Sequence, residues 1–283
     1  MTVLEAINLS TDYLTKKGVD SARTNAELLL ADILKCKRLD LYLSFDRPLD
    51  EKETKIYRDY ITRRGKREPL QYITGKVEFY GLEFYVNKHV LIPRQETEIL
   101  VETIINSYSE NSFSRILDIG TGTGNISITL AKHLRETKII SIDISHRALE
   151  VAAQNVKLSG TESNLFIKQC DVFDTESVAK LGKFDLIVSN PPYVSKNEFF
   201  TLQDEIINHE PEMAVTDNQD GYSFYKRISE AGRELLNDKG KIFFEVGQNQ
   251  HQNVISILND SSYKNIKTIK DYLQIERVVS AEK

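Results

Sequence analysis

The sequence predicts an α/β protein in which a small helical bundle and a β-hairpin precede a doubly wound, mostly parallel sheet. Three observations lead to this prediction. The first 70 residues show helical apolar spacing, residues 72–90 are rich in aromatic and β-branched types, and short apolar runs alternate with helical patterns from residue 114 onward. Repeated strand–helix units of this kind favour a parallel sheet. The length of 283 residues allows one large domain or two smaller ones.

The first 70 residues carry the pattern of a helical bundle. Leu4, Ile7 and Leu14 lie at near-helical intervals, and Gly18 is a suitable place for a helix to end. Ser21 is expected to cap the next helix with its side chain, because serine is a preferred residue at that position. These helices carry no cluster of residue types that would suggest catalysis.

A third helix is predicted between Pro48 and Gly65, and it carries a concentrated basic stretch. The stretch has seven basic residues: Lys52, Lys55, Arg58, Arg63, Arg64, Lys66 and Arg67. A solvated helix face accounts for such a run of charge. A docking patch for an acidic or nucleic-acid-bound partner is the alternative interpretation, and the sequence leaves both open.

The residue composition changes after Pro69, where aromatic and β-branched residues become frequent. Residues 77–80 and 82–86 flank Gly81 and predict a β-hairpin that links the two parts of the chain. Pro93 closes this segment, and a helix is expected over residues 96–105.

The remaining chain alternates between strand and helix patterns. Strands are predicted at residues 115–119, 139–142, 165–169, 184–189 and 241–246. Helices are predicted at residues 126–134, 147–158 and 222–236. Residues 265–270 and 276–280 predict an antiparallel pair that closes the sheet.

Composition and charge exclude several classes of protein. Cys36 and Cys170 form no CxxC pair, and the five histidines show no metal-ligand spacing, so a reduced, metal-free protein is expected. No apolar run approaches the ~18–20 residues of a membrane helix, which favours a cytoplasmic protein. Residues 1–75 carry a net charge of +2 and residues 76–283 carry −7. That acidic larger part argues against a grip on long nucleic acids, which is driven by phosphate neutralisation.

A glycine-rich turn follows the first predicted strand of the sheet, directly after Asp118 and Ile119. The turn consists of Gly120, Thr121, Gly122, Thr123 and Gly124. Such a turn at the end of a strand binds a nucleotide-like ligand. The dinucleotide fingerprint GxGxxG does not fit, because Asn125 and Ser127 occupy the third glycine position in either register. A ligand without phosphate becomes the better candidate, and S-adenosylmethionine, an adenosine joined to an amino acid, fits.

Carboxylates follow the next two predicted strands. Asp143 ends the second strand of the sheet, where its side chain can accept hydrogen bonds from both ribose hydroxyls, as it would for NAD. Asp171 follows the third strand, where its carboxylate or backbone could receive the adenine amine. Val172 beside it could line the adenine face.

The most informative stretch is Asn190-Pro191-Pro192-Tyr193, here called the acceptor corner, which follows the fourth strand. Two prolines end the strand, fix the backbone and remove two N–H donors, which leaves carbonyl oxygens free to accept. The Asn190 side-chain oxygen and the Pro191 carbonyl can each accept one N–H of a planar NH₂ group, and Tyr193 can stack on that group. A simple strand-ending turn is the alternative interpretation.

This corner suits alkylation of an amide or an exocyclic base amine. Such nitrogens are poor nucleophiles, and two acceptors would orient the nitrogen and favour the charge that builds on it during attack. A sulfonium methyl would be approached in line at about 3–3.5 Å. No strong general base is needed before attack, because the nitrogen becomes acidic once it is alkylated.

The acceptor corner together with residues 118–124 resembles the amino methyltransferases, which include adenine-N6 enzymes acting on RNA or DNA. Further motifs are narrower and lie at residues 69–75, 78–81, 91–98, 209–211, 220–221, 244–247 with Gln250, and 275–278. Through these motifs nearly the whole chain resembles the HemK-type release factor glutamine methyltransferases. Val172 stands where some members carry an aromatic residue.

The resemblance implies a Rossmann-like sheet and a reaction. The amide nitrogen of the glutamine in the Gly-Gly-Gln motif of class 1 peptide-chain release factors would be methylated from S-adenosylmethionine. By position, residues 120–124, Asp143, Val172 and Asn190 would contact the cofactor, and the acceptor corner would hold the glutamine. Residues 1–70 would dock the release factor, 71–94 would form the linker, and 95–283 would be catalytic. A cytoplasmic monomer without a membrane or direct nucleic-acid substrate is expected.

Two alternatives remain open. An adenine-N6 methyltransferase acting on RNA or DNA would require a recognition surface with basic and aromatic residues. The acidic larger part of the chain argues against this function. A non-catalytic protein that binds the cofactor would have no need of the acceptor corner.

Overall fold

The computed structural model describes residues 1–108 and 113–283, which divide into two compact units. One unit comprises Met1–Lys76 together with Gln203–His209, and the other comprises Val77–Leu202 together with Glu210–Lys283. The chain therefore leaves the second unit after Leu202, adds a short segment to the first, and returns at Glu210. Most of the predicted linker, from Val77 onward, belongs to the second unit. The functional roles assigned to residues 1–70, 71–94 and 95–283 stay predictions.

The first unit is helical. Its elements are α1 (Val3–Lys16), α2 (Ala22–Leu34), a 3-10 helix (Arg38–Leu43), α3 (Glu51–Gly65), α4 (Leu70–Thr74) and α10 (Asp204–His209). The apolar side chains that share one face of α1 are fully buried, among them Ile7 and Leu14, and they pack with Leu29 and Leu30 of α2. Burial of these side chains holds the bundle together, because short helices gain most of their stability from packing.

Helix caps in this unit differ from the prediction at one position. Asp50 caps α3 and its oxygen accepts from the Glu53 backbone N–H at 2.7 Å, with Glu53 bonding back to the Asp50 N–H. Ser21 precedes α2 as expected, but the prediction of a side-chain cap is wrong, since its hydroxyl makes no capping hydrogen bond. The Ser21 backbone has φ of 50°, whereas a side-chain cap needs an extended backbone.

The basic stretch of α3 is only partly free. Arg64 is buried and donates to Glu205 of α10 at 3.0 Å, and Arg67 donates to the other Glu205 oxygen at 2.8 Å. Arg63 pairs with Glu68 at 2.6 Å. The four basic residues that remain exposed are Lys52, Lys55, Arg58 and Lys66. Three of the seven charges therefore stabilise the first unit, and any docking patch is limited to the other four.

The second unit is built on a seven-stranded sheet with the order β5-β4-β3-β6-β7-β9-β8. Its strands are β3 (Arg115–Ile119), β4 (Lys138–Asp143), β5 (Leu165–Gln169), β6 (Phe184–Ser189), β7 (Leu236–Glu245), β8 (Lys264–Lys270) and β9 (Glu276–Glu282). The five strands from β3 to β7 are parallel, and β9 pairs antiparallel with both β7 and β8. The predicted α/β class, its mostly parallel sheet and the closing antiparallel pair are confirmed.

Helices cover this sheet on both sides. They are α5 (Glu96–Tyr108), α6 (Asn125–His133), α7 (His146–Ser159), α8 (Thr175–Ala179), α9 (Lys196–Phe199), α11 (Ser223–Leu235) and α12 (His251–Asp260), with a 3-10 helix at Glu212–Ala214. Ile116 and Leu117 are consecutive in β3 but belong to different buried clusters. Strands buried on both faces carry largely apolar runs, which explains why β3 and β6 are mostly apolar rather than alternating. Among residues 1–108 and 113–283, no helix is both long and apolar enough to span a membrane.

A β-hairpin precedes the sheet, with strands β1 (Lys76–Phe79) and β2 (Leu82–Tyr85). The two residues between them, Tyr80 and Gly81, have φ of 51° and 72°. Positive φ at both positions is the geometry of the tight hairpin turn that matches strand twist. Phe79 and Phe84 are buried in the same cluster as α5 and α6 and meet edge to face at 6.0 Å.

The strand order places the ends of four strands at one edge of the sheet. Ile119 of β3 pairs with Ile142 of β4 on one side and with Ser189 of β6 on the other, and Ser189 pairs with Phe244 of β7. The chain winds outward in opposite directions from β3 and β6, and such a reversal leaves a crevice where ligands bind in open α/β sheets. The residues that follow these four strands therefore meet at the crevice.

Candidate active site

A cavity of about 310 Å³ lies at the carboxyl edge of the sheet. It is lined by eight predicted site residues: Gly120, Gly122, Asp143, Asp171, Val172, Asn190, Pro191 and Pro192. The structure therefore brings the glycine turn, the two strand-end carboxylates and the acceptor corner to one place. Four other predicted residues are not among those that line the cavity: Thr121, Thr123, Gly124 and Tyr193.

The glycines of the turn serve two different purposes. All three have positive φ, at 77° for Gly120, 54° for Gly122 and 80° for Gly124. A Cβ atom at Gly120 or Gly122 would meet nothing within 4 Å, whereas one at Gly124 would lie 3.0 Å from the Ile128 side chain. The first two glycines thus border open space beside the cavity, and the third allows close packing on α6.

Asp143 ties the turn to the end of β4. One carboxylate oxygen accepts from the Gly122 N–H at 2.9 Å, and the other accepts from the Ser145 N–H at 2.8 Å. Burial raises the pKa of Asp143, and the hydrogen bonds from these backbone N–H groups offset only part of that rise. Each carboxylate oxygen has a second lone pair, so the side chain can still accept from a hydroxyl in the cavity.

Asp118 lies beneath the turn rather than in the cavity. Its side chain is fully buried, and burial raises the pKa of Asp118 to about 6, although the hydroxyls of Thr121, Ser127 and Ser141 lower it. The Thr121 and Ser127 hydroxyls also lie 3.2 Å apart. The carboxyl group is therefore placed to hold the turn from below.

Two phenylalanines that the sequence did not indicate line the cavity next to Val172. Phe173 and Phe224 meet edge to face with ring centroids 5.1 Å apart, and both lie in the wall. The Phe173 N–H donates to the Asp171 carboxylate at 2.9 Å, and Arg227 donates to the Val172 carbonyl at 2.7 Å. Two aromatic rings therefore accompany Val172 in the cavity wall. Phe224 lies in the first turn of α11, 52 positions after Val172, and no local pattern marks it.

The acceptor corner is held at the end of β6 with its acceptors free. The Ser189 hydroxyl donates to the Ile119 carbonyl at 2.7 Å, which fixes the strand end. The Asn190 side-chain nitrogen donates to the Thr97 hydroxyl at 3.3 Å. In the part of the chain that the structure describes, no group donates a hydrogen bond to the Asn190 side-chain oxygen or the Pro191 carbonyl. Two acceptors next to the cavity are therefore available to a ligand.

The backbone of Tyr193 is clamped from the end of β7. The Gln250 side chain donates to the Tyr193 carbonyl at 2.8 Å and accepts from the Gly247 N–H at 3.1 Å. A Cβ atom on Gly221 would lie 2.5 Å from the same Tyr193 carbonyl oxygen. The Tyr193 ring packs against the buried cluster of α11 and α12, and burial raises the pKa of Tyr193 well above its usual range. Gln250 and Gly221 lie in motifs singled out in the sequence, which gave no indication of this contact.

Two other motifs meet through a carboxylate. Glu210 is buried, and its oxygens accept from the Arg94 guanidinium at 2.5 Å and from the Ile92 N–H at 3.2 Å. The segments 91–98 and 209–211 are thereby joined beside the cavity, whose wall includes Leu91 and Pro211.

Asp217 organises the loop that forms another part of the cavity wall. Its carboxylate accepts from the Gly221 N–H at 3.0 Å and from the Ser223 hydroxyl at 2.7 Å. Thr216 and Asn218, on either side of it, line the cavity with Asp217. No group of three or more metal-ligand side chains was found among residues 1–108 and 113–283.

Comparisons with known proteins agree with this geometry. A family model described as "PrmC N-terminal domain" matches residues 5–75, and one described as "Methyltransferase small domain" matches residues 94–219. The hMettl16 catalytic domain, solved in complex with the MAT2A 3′UTR hairpin 6, aligns with a TM-score of 0.54 at 14% identity over 82% of each chain. This last likeness concerns the fold alone.

Two curated relatives cover almost the entire chain. The "Release factor glutamine methyltransferase" of Fusobacterium nucleatum is 42% identical over 99% of this chain and 78% of its own length. The enzyme of the same name from Clostridium acetobutylicum is 34% identical over 99% of this chain and 98% of its own. The predicted enzyme class and its S-adenosylmethionine cofactor are thereby confirmed. The chain belongs to the release factor glutamine methyltransferase family.

Proposed function

We propose that this protein transfers a methyl group from S-adenosylmethionine to the side-chain amide nitrogen of the glutamine in the Gly-Gly-Gln motif of class 1 release factors. The names of the relatives support the substrate. The single observation that carries the proposal is that the free acceptors of Asn190 and Pro191 border the same cavity as the glycine turn and Asp143.

The cavity has the features that the cofactor requires. Gly120 and Gly122 leave open space before the backbone, Asp143 offers acceptors for ribose hydroxyls, and Val172 with Phe173 offers an apolar wall for adenine. S-Adenosylmethionine supplies an electrophilic methyl group when it is bound. Thr121, Thr123 and Gly124 are assigned to shaping the turn, and Asp171 to the adenine amine.

The acceptor corner would bind the glutamine by its amide NH₂ group. One N–H would donate to the Asn190 side-chain oxygen and the other to the Pro191 carbonyl, which holds the amide plane and favours positive charge on nitrogen as it attacks. Transfer would form the N–C bond as the S–C bond breaks, with S-adenosylhomocysteine as the leaving group, and the alkylated nitrogen would release one proton to water. Pro192 keeps the corner rigid. Tyr193 remains the predicted stacking partner of the amide. Its backbone carbonyl is held by the Gln250 side chain.

The first unit is assigned to docking. We propose that residues 1–70 hold the release factor, that residues 71–94 link the parts, and that residues 95–283 carry catalysis. The exposed charges of Lys52, Lys55, Arg58 and Lys66 are the available basic surface on α3. We propose that the protein acts as a monomer on protein rather than nucleic acid, and in the cytoplasm, where a substrate of the translation apparatus is found.

Mass spectrometry of a purified class 1 release factor tests the proposal. Incubation with enzyme and cofactor is expected to add one CH₂ to the glutamine of the Gly-Gly-Gln motif, and a release factor with that glutamine replaced by alanine should gain none. Parallel reactions with RNA and DNA test the adenine-N6 alternative. Label in nucleic acid but not in the release factor would overturn the proposal.

The role of Asn190 has its own test. Asn190→Ala is expected to lower kcat about 10²-fold or more, because one of two preorganised polar contacts to the reacting group is lost. Asn253→Ala, at an exposed asparagine whose amide donates to the Tyr222 hydroxyl, is the control and should retain activity. Full activity in Asn190→Ala would refute the role, provided that circular dichroism shows both variants to be folded.

A further inference from the structure

We propose that Thr97 and Glu245 are positioning residues that fix the amide orientation of Asn190, so that its oxygen and not its nitrogen is presented to the substrate. The inference rests on the proposed function only for the identity of the NH₂ group that Asn190 receives.

The three side chains come from different elements and meet behind the acceptor corner. Thr97 lies in the first turn of α5 and Glu245 is the last residue of β7, and each is only 2% exposed. The Asn190 nitrogen donates to the Thr97 hydroxyl at 3.3 Å. Glu245 lies near both side chains, since Thr97 and Asn190 lower the pKa of its carboxyl group. The nitrogen end of the Asn190 amide therefore faces the Thr97 hydroxyl, with Glu245 nearby.

The chemistry of these partners selects one of the two amide orientations. An asparagine amide has an oxygen that only accepts and a nitrogen that only donates. Above its pKa of about 7 the Glu245 carboxyl group is ionised and only accepts. The Asn190 nitrogen is then favoured on the side of Glu245, and the Thr97 hydroxyl can donate to Glu245 while it accepts from Asn190. The reverse orientation would set the amide oxygen against the carboxylate in a water-excluded place, where an unpaired acceptor is costly.

The position of Glu245 is difficult to explain by stability. Its Oε2 atom has no hydrogen-bond partner among the described residues, and the nearby Arg277 donates instead to Asp271 at 3.0 Å. Leaving a buried carboxylate incompletely paired destabilises a fold. Such a cost is expected where a polar group is retained for the function of its neighbour. Here the neighbour is the residue whose free oxygen borders the cavity.

Kinetics of threonine variants test the inference. Thr97→Val keeps the shape but removes the hydroxyl, and it should lower kcat about tenfold or more while binding of S-adenosylhomocysteine changes less than about twofold. Thr97→Ser should restore most of the rate, because the hydroxyl returns. Thr103→Val is the matched control, since Thr103 lies in the same helix and donates only to the Ile99 carbonyl at 2.7 Å. It should retain the wild-type rate.

A double-mutant cycle separates positioning from general damage. If Thr97 acts through Asn190, then Thr97→Val should cause no further loss in an Asn190→Ala background, measured in single turnover with excess enzyme. Glu245→Gln should also lower kcat, since its amide can donate to the Asn190 oxygen and permit the reverse orientation.

Wild-type kcat in Thr97→Val would overturn the inference, as would equal losses with and without the Asn190 side chain. The proposed function fails separately, if wild-type enzyme leaves the release-factor glutamine unmodified. In that case the same variants are assayed on whichever acceptor the wild type labels, and the same outcomes decide.

Discussion

The Glu245→Gln variant should become more stable relative to the wild type as the pH rises. The carboxyl group is almost completely buried at the end of β7. Burial raises the pKa of Glu245 from an ordinary 4.5 to about 7, although the neighbouring Thr97, Arg277 and Asn190 lower it. Glutamine has nearly the same shape and never ionises, so the Glu245→Gln variant removes the titration and leaves the packing in place.

The magnitude and sign follow from proton linkage. Between about pH 4.5 and pH 7 the unfolded chain has lost the proton of Glu245 while the folded chain keeps it, so the free energy of unfolding of the wild type falls as the pH rises. At about 1.4 kcal/mol for each pH unit, the loss amounts to roughly 3 kcal/mol. Above about pH 7 both states are ionised and the loss is complete. The variant lacks this loss.

Urea unfolding followed by circular dichroism at several pH values between about 4.5 and 8 measures the effect. The difference in free energy of unfolding, variant minus wild type, should increase by roughly 3 kcal/mol across that range. Subtraction cancels other titrating groups, including Asp118. Glu162→Gln, at an exposed acid, is the control and should show no such trend. A difference that stays constant with pH, or that decreases, would refute a buried carboxyl group with a raised pKa.

Three further predictions concern the site and the first unit. Gly221→Ala should lower kcat strongly, because its Cβ would clash with the Tyr193 carbonyl oxygen of the acceptor corner. Gly160→Ala, also at a positive φ but facing open space, should be tolerated, and comparable losses of kcat in both variants would contradict this. Asp143→Asn should weaken binding of S-adenosylhomocysteine at least about tenfold by calorimetry, and unchanged affinity would exclude it from the cofactor site. Reversing the charges of Lys55 and Arg58 should weaken release-factor binding more than cofactor binding, and equal effects would contradict docking there.

The sheet could be predicted because its signals are local. Each parallel strand is a short, mostly apolar run, and within two residues of their ends β3, β4 and β6 are followed by a glycine, a serine helix cap and a proline, respectively. Gly120, Asp143 and Asn190 could therefore be placed at one edge from strand order alone. The cavity that they line agrees with that reasoning.

The contacts behind the corner could not be predicted in the same way. Thr97, Glu245 and Gln250 come from α5, β7 and the start of α12, and they reach the corner only through tertiary packing. Each lies in a motif that could be recognised, yet the motif gives no partner. Sequence spacing describes neighbours along one helix or strand, and these partners are 55 or more residues apart.

The sequence also could not show which basic residues of the α3 region are paired and which are free. A helix with many basic residues is commonly solvated, and nothing nearby distinguishes Arg64 and Arg67 from the exposed Lys55. Their partner, Glu205, lies 141 and 138 positions away in α10. Only the structure separates the arginines that stabilise the first unit from the charges that are free to bind a partner.

Because Gln203–His209 belongs to the first unit, cutting the chain at one position does not separate the two units. A fragment that starts at Val77 would keep Glu205 but lose both arginines that neutralise it. In such a fragment α10 would remain in the sequence between Tyr193 and Asp217 without its partners from the first unit, so inactivity of the fragment would not measure docking alone. Substitutions at exposed lysines therefore separate docking from catalysis more clearly than a deletion does.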